Sequence, residues 1–85
     1  MSSVDRLLER MRRSKAGWTS DDLEKLYLGL GFEMREGKKH RVYIHPKFTE
    51  LRATVTRSRS LATGYIEHAL QLAVRLKEKE SKNEA

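Results

Sequence analysis

Residues 32–46 read FEMREGKKHRVYIHP. Phe32 to Arg35 alternate apolar and charged side chains, and Lys39 to His45 do much the same, the pattern of two half-buried strands. Between them, Glu36-Gly37-Lys38 predicts a tight hairpin turn with Gly37 at its position of positive φ. Pro46 ends the second strand. Strict alternation groups His40 with Val42 and Ile44, and that aliphatic pair reads as the core face. After a loop over Lys47–Glu50, Leu51 to Thr56 is rich in β-branched residues and predicts a third strand. The expectation is an antiparallel meander with strands at about 32–36, 39–45 and 51–56.

The period changes on either side. Val4, Leu7, Leu8 and Met11 fall on one helical stripe, with Ser2 or Ser3 able to cap it, so residues 3–13 predict a helix. Thr19 with Asp22 has capping-box spacing, and Trp18 with Leu23 has the spacing of a hydrophobic staple. Leu23, Leu26, Tyr27 and Leu30 carry a second helix over about 20–30, which Gly31 stops in the left-handed conformation. Beyond a polar connection over 57–62, Thr63 to about Lys79 predicts the longest helix. Its apolar face is too wide for one contact and calls for the sheet plus a second surface, the first helix or a partner. Residues 77–85 read as a frayed charged tail.

Without the first helix, the order is α-β-β-β-α. The simplest two-layer solution puts both helices on one sheet face and leaves the other open. The expected fold class is therefore α+β, a two-layer sandwich arranged as in double-stranded-RNA-binding domains, with an additional N-terminal helix. It forms one domain over residues 1–80 with 81–85 as a flexible tail.

The composition excludes much. The chain has 85 residues, one proline and no cysteine. It has no disulfide staple, no thiol nucleophile and no cysteine-based zinc knuckle. A chain this short buries roughly 60–65% of its unfolded surface, so its core is modest. No apolar run approaches the ~20 residues of a membrane span, and the N-terminus lacks a signal-peptide stretch, so the expected location is the cytoplasm.

The net charge is +6, and it is concentrated. Residues 1–34 and 60–85 are each neutral. Residues 35–59 carry Arg35, Lys38, Lys39, Arg41, Lys47, Arg52, Arg57 and Arg59 against only Glu36 and Glu50. Charge this local is the footprint of a phosphate-binding surface.

The chemical inventory is short. Gly29, Gly31 and Gly37 match no phosphate-loop or dinucleotide spacing. His40 and His45 are five positions apart on one strand and so face opposite sides, which argues against a shared metal. His45, before Pro46, reads as a hydrogen-bonding residue of the turn, and His68 as a helix-surface residue. His40 is different: it follows the Lys38-Lys39 turn amid the densest positive charge. A histidine there can move a proton to or from an RNA ribose or phosphate. RNA supplies its own nucleophile, the 2′-hydroxyl, so the protein needs proton-transfer groups and cations to stabilise charge on phosphorus.

From Thr19 to about Leu76 the chain resembles the HicA toxins of bacterial toxin–antitoxin systems. Gly31-Phe32 is similar to the family's Gly-aromatic opening of the first strand. Lys38-Lys39-His40 stands where the family has Gly-Ser-His, and His45-Pro46 follows. Ala53-Thr54-Val55-Thr56-Arg57-Ser58 resembles the third strand and its basic exit, with Thr56 where a proline is common. Thr63-Gly64-Tyr65-Ile66 resembles the entry to the last helix. The front segment, Leu7 through Trp18 to Leu23, is similar to a longer branch with an added N-terminal helix. The resemblance implies a ribosome-independent mRNA endoribonuclease with a double-stranded-RNA-binding-domain-like fold. It also implies His40 as the catalytic residue, RNA as substrate and a HicB-like antitoxin as protein partner. Lys38, Lys39, Arg41, Arg57 and Arg59 are the residues expected to hold phosphate, with no cofactor and no metal required. The alternatives are a non-catalytic RNA-binding module of the same fold, or an inactive relative acting through protein binding.

Overall fold

Thr19 sits at the N-cap of the second helix in extended conformation, and its hydroxyl accepts from the Asp22 N–H at 3.2 Å. The Asp22 carboxylate accepts from the Thr19 N–H at 2.9 Å, completing the box. Such a cap contributes about 1 kcal/mol. At the other end Gly31 has φ 94°. The Phe32 N–H donates to the Tyr27 carbonyl at 3.0 Å and the Gly31 N–H to the Leu28 carbonyl at 3.1 Å. The Tyr27 and Phe32 rings, 5.1 Å apart, close this helix end with an apolar contact. The chain is thereby turned straight into the first strand.

A computed structural model describes residues 3–83, the side chain of Asn83 excepted. Its order is α1 (Ser3–Arg13), α2 (Ser20–Gly29), β1 (Glu33–Glu36), β2 (His40–Ile44), β3 (Arg52–Thr56) and α3 (Thr63–Asn83). The fold is α+β: three helices and one antiparallel sheet in the order β1-β2-β3. Ser3 is already helical, and Ser2, the other candidate cap, lies outside the described residues.

The core forms between sheet and helices. Tyr43, Ala53 and Val55 from the strands meet Leu23, Leu26 and Tyr27 of α2 and Ile66, Ala69 and Leu76 of α3 in one buried cluster. Leu8 and Met11 of α1 join it. The wide face of α3 thus has its second surface within the chain, since α3 packs on β3, α1 and α2. The β3–α3 connection is tied to the front of α2. Ser20 N–H donates to the Ser58 carbonyl, Ser58 N–H to the Ser20 hydroxyl, and Leu61 N–H to the Trp18 carbonyl.

The helix α3 continues through Asn83 rather than fraying after Lys77. Lys79 explains part of this. Its ammonium pairs with Glu50 at 2.5 Å and lies 5.8 Å from the Phe48 ring centre, fastening this end of the helix to the β2–β3 loop. Lys79 also holds the Glu50 carboxyl below its usual pKa. Residues 81–83 are therefore helix, not tail, and residues 84–85 lie outside those described.

Gly29 marks where α1 crosses α2. A Cβ there would collide with Val4 Cγ2. Gly29→Ala is expected to destabilise the fold by about 1–2 kcal/mol, because overpacking outweighs the gain in helix propensity. In thermal melts Val4→Ala is expected to recover most of the loss when added to Gly29→Ala. Additive losses would refute the contact.

Candidate nucleic-acid interface

The strand β2 lies in the middle of the sheet, and its alternation is as expected but its faces are not. Tyr43 is buried against the helices, flanked by Met34 and Ala53. Arg41 shares that side. His40, Val42 and Ile44 share the other, with Val42 and Ile44 only half-buried and His40 exposed. The aliphatic pair is not the core face. The reason is in α2: the Arg41 guanidinium reaches Asp21 at 3.0 Å and Glu24 at 3.8 Å, and its side chain is only 17% exposed. The Asp21 hydrogen bond, with Glu24 adding, pushes the Arg41 pKa further up, against desolvation. Arg41 thus fixes the sheet to the first turn of α2 and does not stand beside His40.

On the open face, the register places His40 opposite Thr56 and Val42 between Arg35 and Thr54. Ile44 lies between Glu33 and Arg52. Arg35 and Arg52 are both exposed there. Arg52 donates through Nε at 3.0 Å and through a terminal nitrogen at 2.8 Å to the Thr49 carbonyl. His68 Nε2, on α3, donates to the Arg52 carbonyl at 3.2 Å.

The hairpin tip is Lys38-Lys39, both exposed. The Gly37 N–H donates to the His40 carbonyl at 2.8 Å and closes the turn beneath them. Gly37 is not at positive φ, contrary to the expectation from the sequence. What constrains it is proximity: a Cβ would stand 3.1 Å from the His40 carbonyl oxygen. Arg57, leaving β3, pairs with the Glu36 carboxylate and approaches the Gly37 carbonyl at 3.5 Å. It clasps the base of the tip that carries Lys38, Lys39 and His40.

Of the residues singled out in the sequence, Lys38, Lys39 and His40 follow one another at the hairpin, and all three are exposed. Arg57 abuts them through Glu36, Arg59 lies exposed in the β3–α3 connection, and Arg41 is on the opposite side. Arg35 and Arg52 were missed as site residues. Counting by twos from His40 across the hairpin register would have found Arg35.

His45 is buried on the core side, and its Nδ1 accepts from the Lys47 N–H at 3.1 Å and the Phe48 N–H at 3.3 Å. Its ring meets Phe32 edge-on at 5.2 Å. It shapes the β2–β3 turn, as its place before Pro46 suggests. His40 and His45 do lie on opposite faces, and among the described residues no group of three or more His, Asp or Glu side chains converges.

What this surface offers chemically is an exposed imidazole, the two exposed lysines that precede it at the hairpin tip, and two exposed arginines further along the sheet. No Phe, Tyr or Trp lies at any of the paired open-face positions of the strands, so the face offers charge and hydrogen bonds to a backbone rather than an extended stacking platform. No helix among the described residues is long and apolar enough to cross a membrane. Comparison with protein-family models, with curated proteins and with solved structures finds no match.

Proposed function

We propose that the protein is a HicA-like toxin, a cytoplasmic endoribonuclease that cleaves mRNA without a metal ion and is restrained by a HicB-like antitoxin. The observation that carries the reading is His40, exposed on the open sheet face and joined to the Lys38-Lys39 tip. The α-β-β-β-α order, with α2 and α3 backing one sheet face, supports a double-stranded-RNA-binding-domain-like fold extended by α1.

In this reading RNA lies along the open face with its phosphates near Lys38, Lys39, Arg35 and Arg52. His40 takes the proton of the ribose 2′-hydroxyl as that oxygen attacks the adjacent phosphorus, and the bond to the 5′-oxygen breaks as that oxygen takes a proton from water. The ammonium groups stabilise the charge that grows on the phosphoryl oxygens. The products are a 2′,3′-cyclic phosphate and a free 5′-hydroxyl.

The test is cleavage of a mixed single-stranded RNA in EDTA, with product ends identified. Cyclic phosphate ends support the reading, and 3′-hydroxyl ends alone overturn it. One observation favours the second reading, a binding module without catalysis: His40 faces Thr56 and neighbours Val42, so no second acid–base side chain stands opposite it. Retained RNA affinity with no cleavage selects that reading.

A further inference from the structure

An open groove runs between α1 and the front of α2. Half-buried Val4 and Leu7, with buried Trp18, give it an apolar lining, and exposed Arg6, Arg10 and Lys25 give it charge. By sequence, residues 1–34 are neutral. The fold sorts that neutrality into two sides. Asp21 and Glu24 are drawn to Arg41 on the sheet. The Asp22 carboxylate is turned to the Thr19 N–H. Glu9 is taken by Arg13 at 2.8 Å. The lining keeps Arg6, Arg10, Arg13 and Lys25 against Asp22, so the groove is basic although the segment that builds it is neutral.

The occupant follows from Trp18. Its indole N–H already donates to the Ser14 carbonyl at 2.8 Å, and the Arg10 guanidinium lies 5.3 Å from its ring centre. The ring is only 9% exposed, so it offers no open face to a nucleobase. Aliphatic side chains fit the lining, and carboxylates fit the cations around it.

We propose that the α1–α2 groove docks an acidic amphipathic segment of a partner protein. Its leucine-like side chains lie on Val4 and Leu7, beside the edge of Trp18, and its carboxylates meet Arg6, Arg10 and Lys25. The groove is built on α1, which packs on α2 and α3, whereas His40 is on the sheet face turned away from the helices. Docking here does not depend on the nuclease reading, and each fails separately.

Trp18 is the sole tryptophan and reports on the groove directly. The probe is a short acetylated peptide of leucine and glutamate at helical spacing, titrated against the full chain with Trp18 emission as readout. A saturable shift is expected. The Arg6→Glu/Lys25→Glu variant, changed at exposed positions and checked for an unchanged melting curve, is expected to bind about tenfold more weakly. Lys38→Glu, on the hairpin tip, is expected to bind as wild type does. The absence of a saturable shift overturns the proposal. So does an equal response to a scrambled peptide of the same composition or to oligouridylate, which would reveal a mere polyanion surface. Equal weakening by Lys38→Glu overturns it as well.

Discussion

His40→Ala is expected to lower RNA cleavage in EDTA by about 10²–10⁴-fold, the usual worth of a positioned proton-transfer group, while leaving RNA affinity unchanged. The two halves of that expectation have different physical origins. Affinity for a polyanion comes from cations that displace counterions, and Lys38, Lys39, Arg35 and Arg52 remain in the variant. His40 is exposed and packs into no core cluster, so its truncation leaves the fold intact. A loss of activity therefore reports chemistry and not unfolding. If both proteins cleave equally, the catalyst is elsewhere or the activity is a contaminant. If the variant loses binding as well, His40 is a ligand to phosphate rather than the proton carrier.

The Arg57 clasp sharpens the same experiment. Arg57 pairs with Glu36 at the base of the tip, so in the folded protein it holds the two ends of the turn that carries Lys38, Lys39 and His40. That role was invisible in the sequence, where Arg57 is one of eight cations in a basic stretch. Local signals were readable because their causes are local. The Thr19–Asp22 box, the left-handed Gly31, Pro46 at the end of β2 and the β-branched run of β3 each need only a few neighbouring residues. The parity of β2 was not readable, because alternation gives two faces but not which is inside. Val42 and Ile44 looked like the core by hydropathy. The decision was made by Tyr43, which stacks on Tyr27 at 4.7 Å, and by Arg41, whose carboxylate partners are 17 and 20 positions away in the chain. A guanidinium that bridges layers reads as a surface cation until the other layer is known. The same long-range pairing hid the α1–α2 groove inside a neutral segment.

Tyr27 carries the largest expected effect on stability, and its hydroxyl separates two contributions. The side chain is fully buried between Tyr43 and Phe32, with ring centres at 4.7 and 5.1 Å. Tyr27→Ala is expected to cost about 3–5 kcal/mol in urea unfolding, enough to leave a domain of this size marginal. The Tyr27 hydroxyl, however, is buried without a hydrogen-bond partner. Tyr27→Phe keeps the ring, removes that unpaired group, and is expected to be neutral or to stabilise by about 1 kcal/mol at pH 7. Alkaline pH gives an independent check. Burial, with Tyr43 adding, raises the Tyr27 hydroxyl well above its ordinary pKa of 10.0. Below that ordinary value the hydroxyl is protonated in both folded and unfolded chains and stability does not depend on it. Above it the unfolded chain ionises and the folded one does not, so stability falls with rising pH by up to about 1.4 kcal/mol per unit. Tyr43, also raised chiefly by burial, adds a fall of the same sign. The stability of Tyr27→Phe should therefore decline less steeply than wild type above about pH 10. Parallel declines would mean that the hydroxyl reaches water or a partner, and the ring packing alone would then account for the cost of Tyr27→Ala.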